Sequence, residues 1–147
     1  MDPACRPVRL AFPLLFVTLL GCGESITVRD AWIREPPPRS PAAGYLIIEN
    51  RGARSVELVG VETVAAERTE IHVMEHRDGK MTMRRTDAVT VPADGQVALL
   101  SGGTHLMLMG LRRELKAGDE VALVLHFADD TVKRVVAPVR KGGHAPR

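Results

Sequence analysis

The sequence predicts an all-β protein, an antiparallel β-sandwich or barrel folded as one domain. Three observations carry this. Runs of strand length recur at roughly 8–12-residue spacing, as they do in sandwiches and barrels. Turn signals separate them, among them Asn50-Arg51-Gly52, Asp78-Gly79, Ala93-Asp94-Gly95, Gly102-Gly103, Ala117-Gly118-Asp119 and Asp129-Asp130. No window sustains the 3.6-residue apolar period of an amphipathic helix, and residues 112–116 leave room for one helical turn at most.

The first strand spans residues 26–33 and is stopped by Pro36-Pro37-Pro38 and Pro41, because proline has no N–H to give to a ladder. A second run, residues 44–50, ends at Asn50-Arg51-Gly52. Residues 55–63 alternate Val56, Leu58, Val59 and Val61 imperfectly and form the third. The remaining strands fall at residues 69–76, 80–86, 88–91, 96–101, 105–111, 120–127 and 131–139. Between the fourth and fifth, Asp78-Gly79 is a two-residue type I′ hairpin signature, since that turn needs positive φ at both central positions. It pairs Arg77 with Lys80, His76 with Met81 and Met74 with Met83.

Composition narrows the function. The chain has 147 residues, 45% of them hydrophobic and 26% charged, which is a globular balance. Its net charge of +2 offers no basic stripe for a nucleic-acid backbone. Three Phe, one Trp and one Tyr are too few for a base-stacking platform. The two cysteines, Cys5 and Cys22, both precede the first strand, so neither a disulfide scaffold nor a Cys-ligated zinc site belongs to the domain. No nucleophile–base pair at a recognisable spacing and no phosphate-cradling glycine loop is present, so the protein reads as a non-enzyme without a small-molecule substrate.

The leading segment reads as an address. Arg6 and Arg9 precede an apolar run from Leu10 to Leu20. That run is shorter than the roughly 20 residues a membrane-spanning helix needs, and it fits a secretory signal. Leu19-Leu20-Gly21-Cys22 resembles a bacterial lipobox, in which the cysteine is lipidated and becomes the new N-terminus. The chain thus divides into a lipoprotein signal peptide at residues 1–21, a β-sandwich domain at 22–139 and a disordered polar tail at 140–147. The expected location is extracytoplasmic, periplasmic, on a membrane through a lipid on Cys22.

Methionine and histidine are the informative residues. Apart from Met1, every Met lies between Met74 and Met109, and His72, His76 and His105 fall in or beside that stretch. Residues i and i+2 share a strand face. His72, Met74 and His76 therefore project together, as do Met81 and Met83, and His105, Met107 and Met109. Ile71, Val73, Leu106 and Leu108 project the other way, toward a core. Thioethers are soft neutral ligands and imidazole is intermediate, a set that suits Cu(I) rather than zinc, calcium or magnesium. A blue-copper electron-transfer centre would need a Cys thiolate, which the domain lacks. Any one methionine has an ordinary packing role open to it. The joint pattern is different, because an apolar core has no use for imidazoles interleaved on its own face.

The spacing His72, ten residues, Met83, twenty-one residues, His105-Leu106-Met107 resembles the H-x10-M-x21-H-x-M pattern of the periplasmic copper chaperones called PCu(A)C. Ala31-Trp32 before the proline loop, Ala43-Gly44-Tyr45, Glu49-Asn50, Val91-Pro92-Ala93 and Gly103 through Leu111 are similar to that family as well. The resemblance spans about residues 27–128. It implies a cupredoxin-like Greek-key β-sandwich with one principal Cu(I) site held by His72, Met83, His105 and Met107. Met74, Met81, Met109 and His76 would flank it, His76 as a weaker candidate for a transient second site. His144 stands alone in the tail and makes no metal-binding extension. The resemblance further implies delivery of copper, with Sco-type partners, to the CuA centre of cytochrome c oxidase subunit II. Two other readings stand beside it: a periplasmic buffer or resistance protein that sequesters copper, and a non-metal interaction sandwich.

Overall fold

The computed structural model describes residues 25–142. The signal segment, Cys22 and His144 lie outside them. Ten strands follow in chain order: β1 (Ile26–Arg34), β2 (Ala42–Asn50), β3 (Val56–Glu62), β4 (Ala66–Arg77), β5 (Lys80–Thr86), β6 (Val89–Val91), β7 (Gly95–Leu99), β8 (His105–Leu111), β9 (Glu120–Phe127) and β10 (Val132–Arg140). Each corresponds to a run expected from the sequence. The largest shift is at β4, which starts at Ala66 because Ala66 and Arg68 pair with Leu111 and Met109 of β8. Residues 112–116 form no helix; Leu115 is buried there instead and pins the segment to the core.

The hydrogen-bonded order is β5-β4-β8-β2-β1-β10-β9-β3-β6, with β7 also pairing to β2. The two halves of this path fold over a common interior, as the predicted sandwich or barrel requires. Leu46, Ile48, Leu58, Leu99, Leu106, Leu108, Leu123 and Leu125 fill it, each at most 1% exposed. The core is all aliphatic at these positions and depends on burial alone, with roughly 25 cal/mol per Å² of apolar surface removed from water. One pairing departs from the antiparallel expectation. β1 runs parallel to β10, through Ile33 with Val139 and Arg34 with Arg140, and so joins the first and last strands. β10 therefore continues through Arg140, whose carbonyl accepts from the Glu35 N–H at 2.8 Å.

A β-bulge in β1 matters for the site. Asp30 has φ of 53°, and the register with β2 shifts between Arg29 and Trp32. An extra residue switches which side chains face inward. Ile26 is buried on the inner face before the bulge and Ile33 after it, so Trp32 falls on the outer face opposite Tyr45. Gly44 pairs with Leu106 of β8; a Cβ there would lie 3.3 Å from the Cβ of Leu106.

Candidate metal centre

The β4–β5 hairpin has the expected turn and register. Asp78 and Gly79 have φ of 52° and 73°. Arg77 pairs with Lys80, His76 with Met81, Met74 with Met83 and His72 with Arg85. On its other flank β4 pairs with β8, placing His72 opposite His105, Glu70 opposite Met107 and Arg68 opposite Met109. Paired residues share a face, so Met83, Met74, His72, His105 and Met107 lie on one outer surface. The buried residues between them, Ile71, Leu106 and Leu108, face the core.

His72 is the centre of this surface. Its ring lies 6.1 Å from that of His105, at 65°. Met83 is its diagonal neighbour on β5 and Met107 on β8, a separation of roughly 7–8 Å between Cα positions that long thioether side chains span. Met74, directly across from Met83, is nearer in register than a peripheral residue would be. Met109 lies beyond Met107, opposite Arg68. His76 and Met81 stand together at the hairpin end, away from the histidine pair.

Both central imidazoles are held by hydrogen bonds. Nδ1–H of His105 donates to the Gly103 carbonyl at 3.0 Å, and the ring is only 7% exposed. The same carbonyl accepts the Met74 N–H at 3.3 Å, tying β4 to the turn that launches β8. This leaves Nε2 of His105 with its lone pair. His72 is held the opposite way. Its Nε2 lies 2.8 Å from Oε2 of Glu70, whose other oxygen accepts from Nε of Arg68 at 2.9 Å. The hydrogen bond from His72, and next that from Arg68, hold the Glu70 carboxyl below the usual carboxylate range. Nδ1 of His72 is then left buried with no hydrogen-bond partner. A buried imidazole nitrogen with a free lone pair is costly unless something accepts it, and a cation is the natural acceptor.

An aromatic wall closes one side. The Tyr45 ring lies 6.4 Å from His105 and 4.6 Å from Trp32, with the Arg34 guanidinium 5.5 Å above the Tyr45 ring. The opposite side is open: Met83 on β5 is 51% exposed. The site thus grades from a buried imidazole to a solvated thioether. Among the described residues no three His, Cys, Asp or Glu side chains are arranged so that they could hold a metal ion by themselves.

Glu70, the Gly103 carbonyl and the Trp32–Tyr45 wall were not among the expected site residues. Glu70 was within reach of the i, i+2 rule, one step before His72. The other two depend on a loop conformation and on the β1 bulge, which the strand pattern does not contain.

The LpqE-like family model matches residues 26–139. The chain is 30% identical over 118 residues to "Putative lipoprotein Lxx21020" of Leifsonia xyli subsp. xyli, a match covering 80% of this chain and 70% of that protein. Among solved structures, Cu(I)-bound DR1885 of Deinococcus radiodurans is 32% identical and superposes with a TM-score of 0.64, covering 79% of this chain and 78% of that one. The copper-bound PCuAC domain from PmoF2 shares the fold at a TM-score of 0.68 and 22% identity, over 80% of this chain and 94% of that domain. The copper-chaperone resemblance read from the sequence is therefore matched in architecture, while the matching family model is the LpqE-like one.

Proposed function

The chain belongs to the LpqE-like lipoprotein family, and we propose that this member is an extracytoplasmic Cu(I) carrier. His72 through Nδ1, His105 through Nε2, and the thioethers of Met83 and Met107 hold the ion. The single observation that supports this most is the buried, unpartnered Nδ1 of His72, set beside a second oriented imidazole on a face rich in thioethers. Copper is cargo here and leaves unchanged, so the protein is a carrier and not an enzyme.

The gradient of exposure supports release as well as binding. Met83 is the ligand an incoming partner reaches first. Anionic Cys thiolates of an acceptor replace neutral thioethers one at a time, each new Cu–S bond forming as an old one breaks. We read the acceptor as a Sco-type protein and, beyond it, cytochrome c oxidase subunit II. A lipid on Cys22 would hold the carrier at the membrane where that oxidase is assembled.

Titration with Cu(I) under reducing conditions, followed by X-ray absorption, tests the ligand set. We expect one tight equivalent with both imidazole and thioether scattering, and loss of the thioether signal in Met83→Ala plus Met107→Ala. An unchanged spectrum in that variant overturns the assignment.

Glu70 is a positioning residue in this scheme. A carboxylate on the far nitrogen of a ligating histidine fixes its tautomer and raises its basicity, and such partners are worth about 10–100-fold in metal affinity. Glu70→Ala is expected to weaken Cu(I) binding by that order, and Glu70→Gln, which keeps an acceptor, by less. Competition against a chromogenic Cu(I) chelator reads both.

A further inference from the structure

β8 pairs with β4 only from Ala66 to His72, whereas β5 pairs with it out to Arg77. The hairpin therefore runs past the β4–β8 ladder; beyond His72 its pairing is with β5, and the Met74 N–H bond to the Gly103 carbonyl ties its base to the turn before β8. Two rungs of soft donors lie on this stretch. Nearest the sheet, Met74 opposes Met83. At the outer end, Nδ1 of His76 lies 3.1 Å from Sδ of Met81, with both side chains exposed. The third rung inward is the His72–His105 pair itself. Alternate rungs on one strand face are about 6.5–7 Å apart.

We propose that the hairpin end is a second Cu(I) site, a loading site held by His76 and Met81, from which the ion passes across Met74 and Met83 to His72 and His105. This rests on the Cu(I)-carrier reading above. An exposed imidazole facing a thioether gains little from that contact, because water is the better hydrogen-bond partner. In the tautomer that leaves Nδ1 unprotonated, that nitrogen and the Met81 sulfur are a neutral soft donor pair of the kind that suits Cu(I). Of the charged side chains nearest the rungs, Arg85 shares their face opposite His72 and is paired with Asp87 at 3.7 Å. Arg84 is engaged by Glu75 at 2.7 Å, and both point to the other face of the hairpin. Asp78 lies in the turn itself, and Arg77 and Lys80 flank it. Every donor on the path is neutral, so each hop exchanges one Cu–N or Cu–S bond for another, with no change of oxidation state and no proton moved.

The test uses the full chain with Cys5→Ser and Cys22→Ser, so that no thiol competes, and Cu(I) buffered by bicinchoninate. We expect the parent to take a second, weaker equivalent. His76→Ala plus Met81→Leu should remove that equivalent, leave the affinity of the first unchanged and slow loading severalfold in stopped flow. His72→Ala plus His105→Ala should keep the weak equivalent. A single equivalent in the parent, or full stoichiometry and loading rate in the His76/Met81 variant, overturns the loading site while the carrier reading stands. A weak equivalent that depends on His76 and Met81, without any tight one, overturns the carrier site and keeps the hairpin site. No copper bound at all overturns both.

Discussion

Replacing His72 and His105 together with alanine is expected to abolish tight Cu(I) binding while leaving the β-sheet intact. Each imidazole is presented with one nitrogen already engaged, by Glu70 and by the Gly103 carbonyl. The orientation cost of binding is therefore met before the ion arrives. Loss of an outer partner alone costs about 10–100-fold in affinity, so loss of both inner donors costs more than that. The fold should tolerate the change. The Gly103 carbonyl keeps the Met74 N–H, and Glu70 keeps Arg68. Chelator competition reads the affinity and far-ultraviolet circular dichroism reads the sheet. Unchanged affinity with an intact sheet would overturn this ligand assignment, whereas retained function without copper binding would favour the non-metal sandwich reading.

The second large effect is on stability. Leu106 is fully buried between the two outward residues His105 and Met107, and it packs where β2 and β8 approach over Gly44. Leu106→Ala removes buried methyl groups and opens a cavity that neighbouring strands cannot close. Such changes cost about 2–5 kcal/mol, a large part of the roughly 5–15 kcal/mol that holds an ordinary domain together. Urea unfolding should show the midpoint fall with little change in slope. A loss below about 1 kcal/mol would mean that the site's floor is not the rigid support described here.

The parts of this molecule that were legible in the sequence are local. Period-two alternation gave the strands, and Asp78-Gly79 gave the hairpin register down to the Met74–Met83 pair. The spacing within 105–109 put His105 and Met107 on one face, and the structure brings that face beside His72. What was not legible is non-local or conformational. The parallel seam between β1 and β10 joins residues more than a hundred positions apart, and no periodicity records it. The bulge at Asp30 inverts the facing of Trp32, which strict alternation from Ile26 would have turned inward along with Ile26 itself. Glu70 lacked the chemical distinctiveness of a methionine or histidine, so its role emerged only with its distance to His72.

The slope of exposure across the site also sets how it ages. Thioether sulfur oxidises to sulfoxide, which is polar and presents a hard oxygen in place of a soft lone pair. Met81 and Met83 are about half exposed, whereas Met107 and Met109 are partly covered, and the described residues contain no thiol. Oxidants arriving from solvent therefore meet the hairpin sulfurs before those of β8. Damage begins at the rim, where it hinders loading and hand-over, and the two oriented imidazoles are the last donors to be lost.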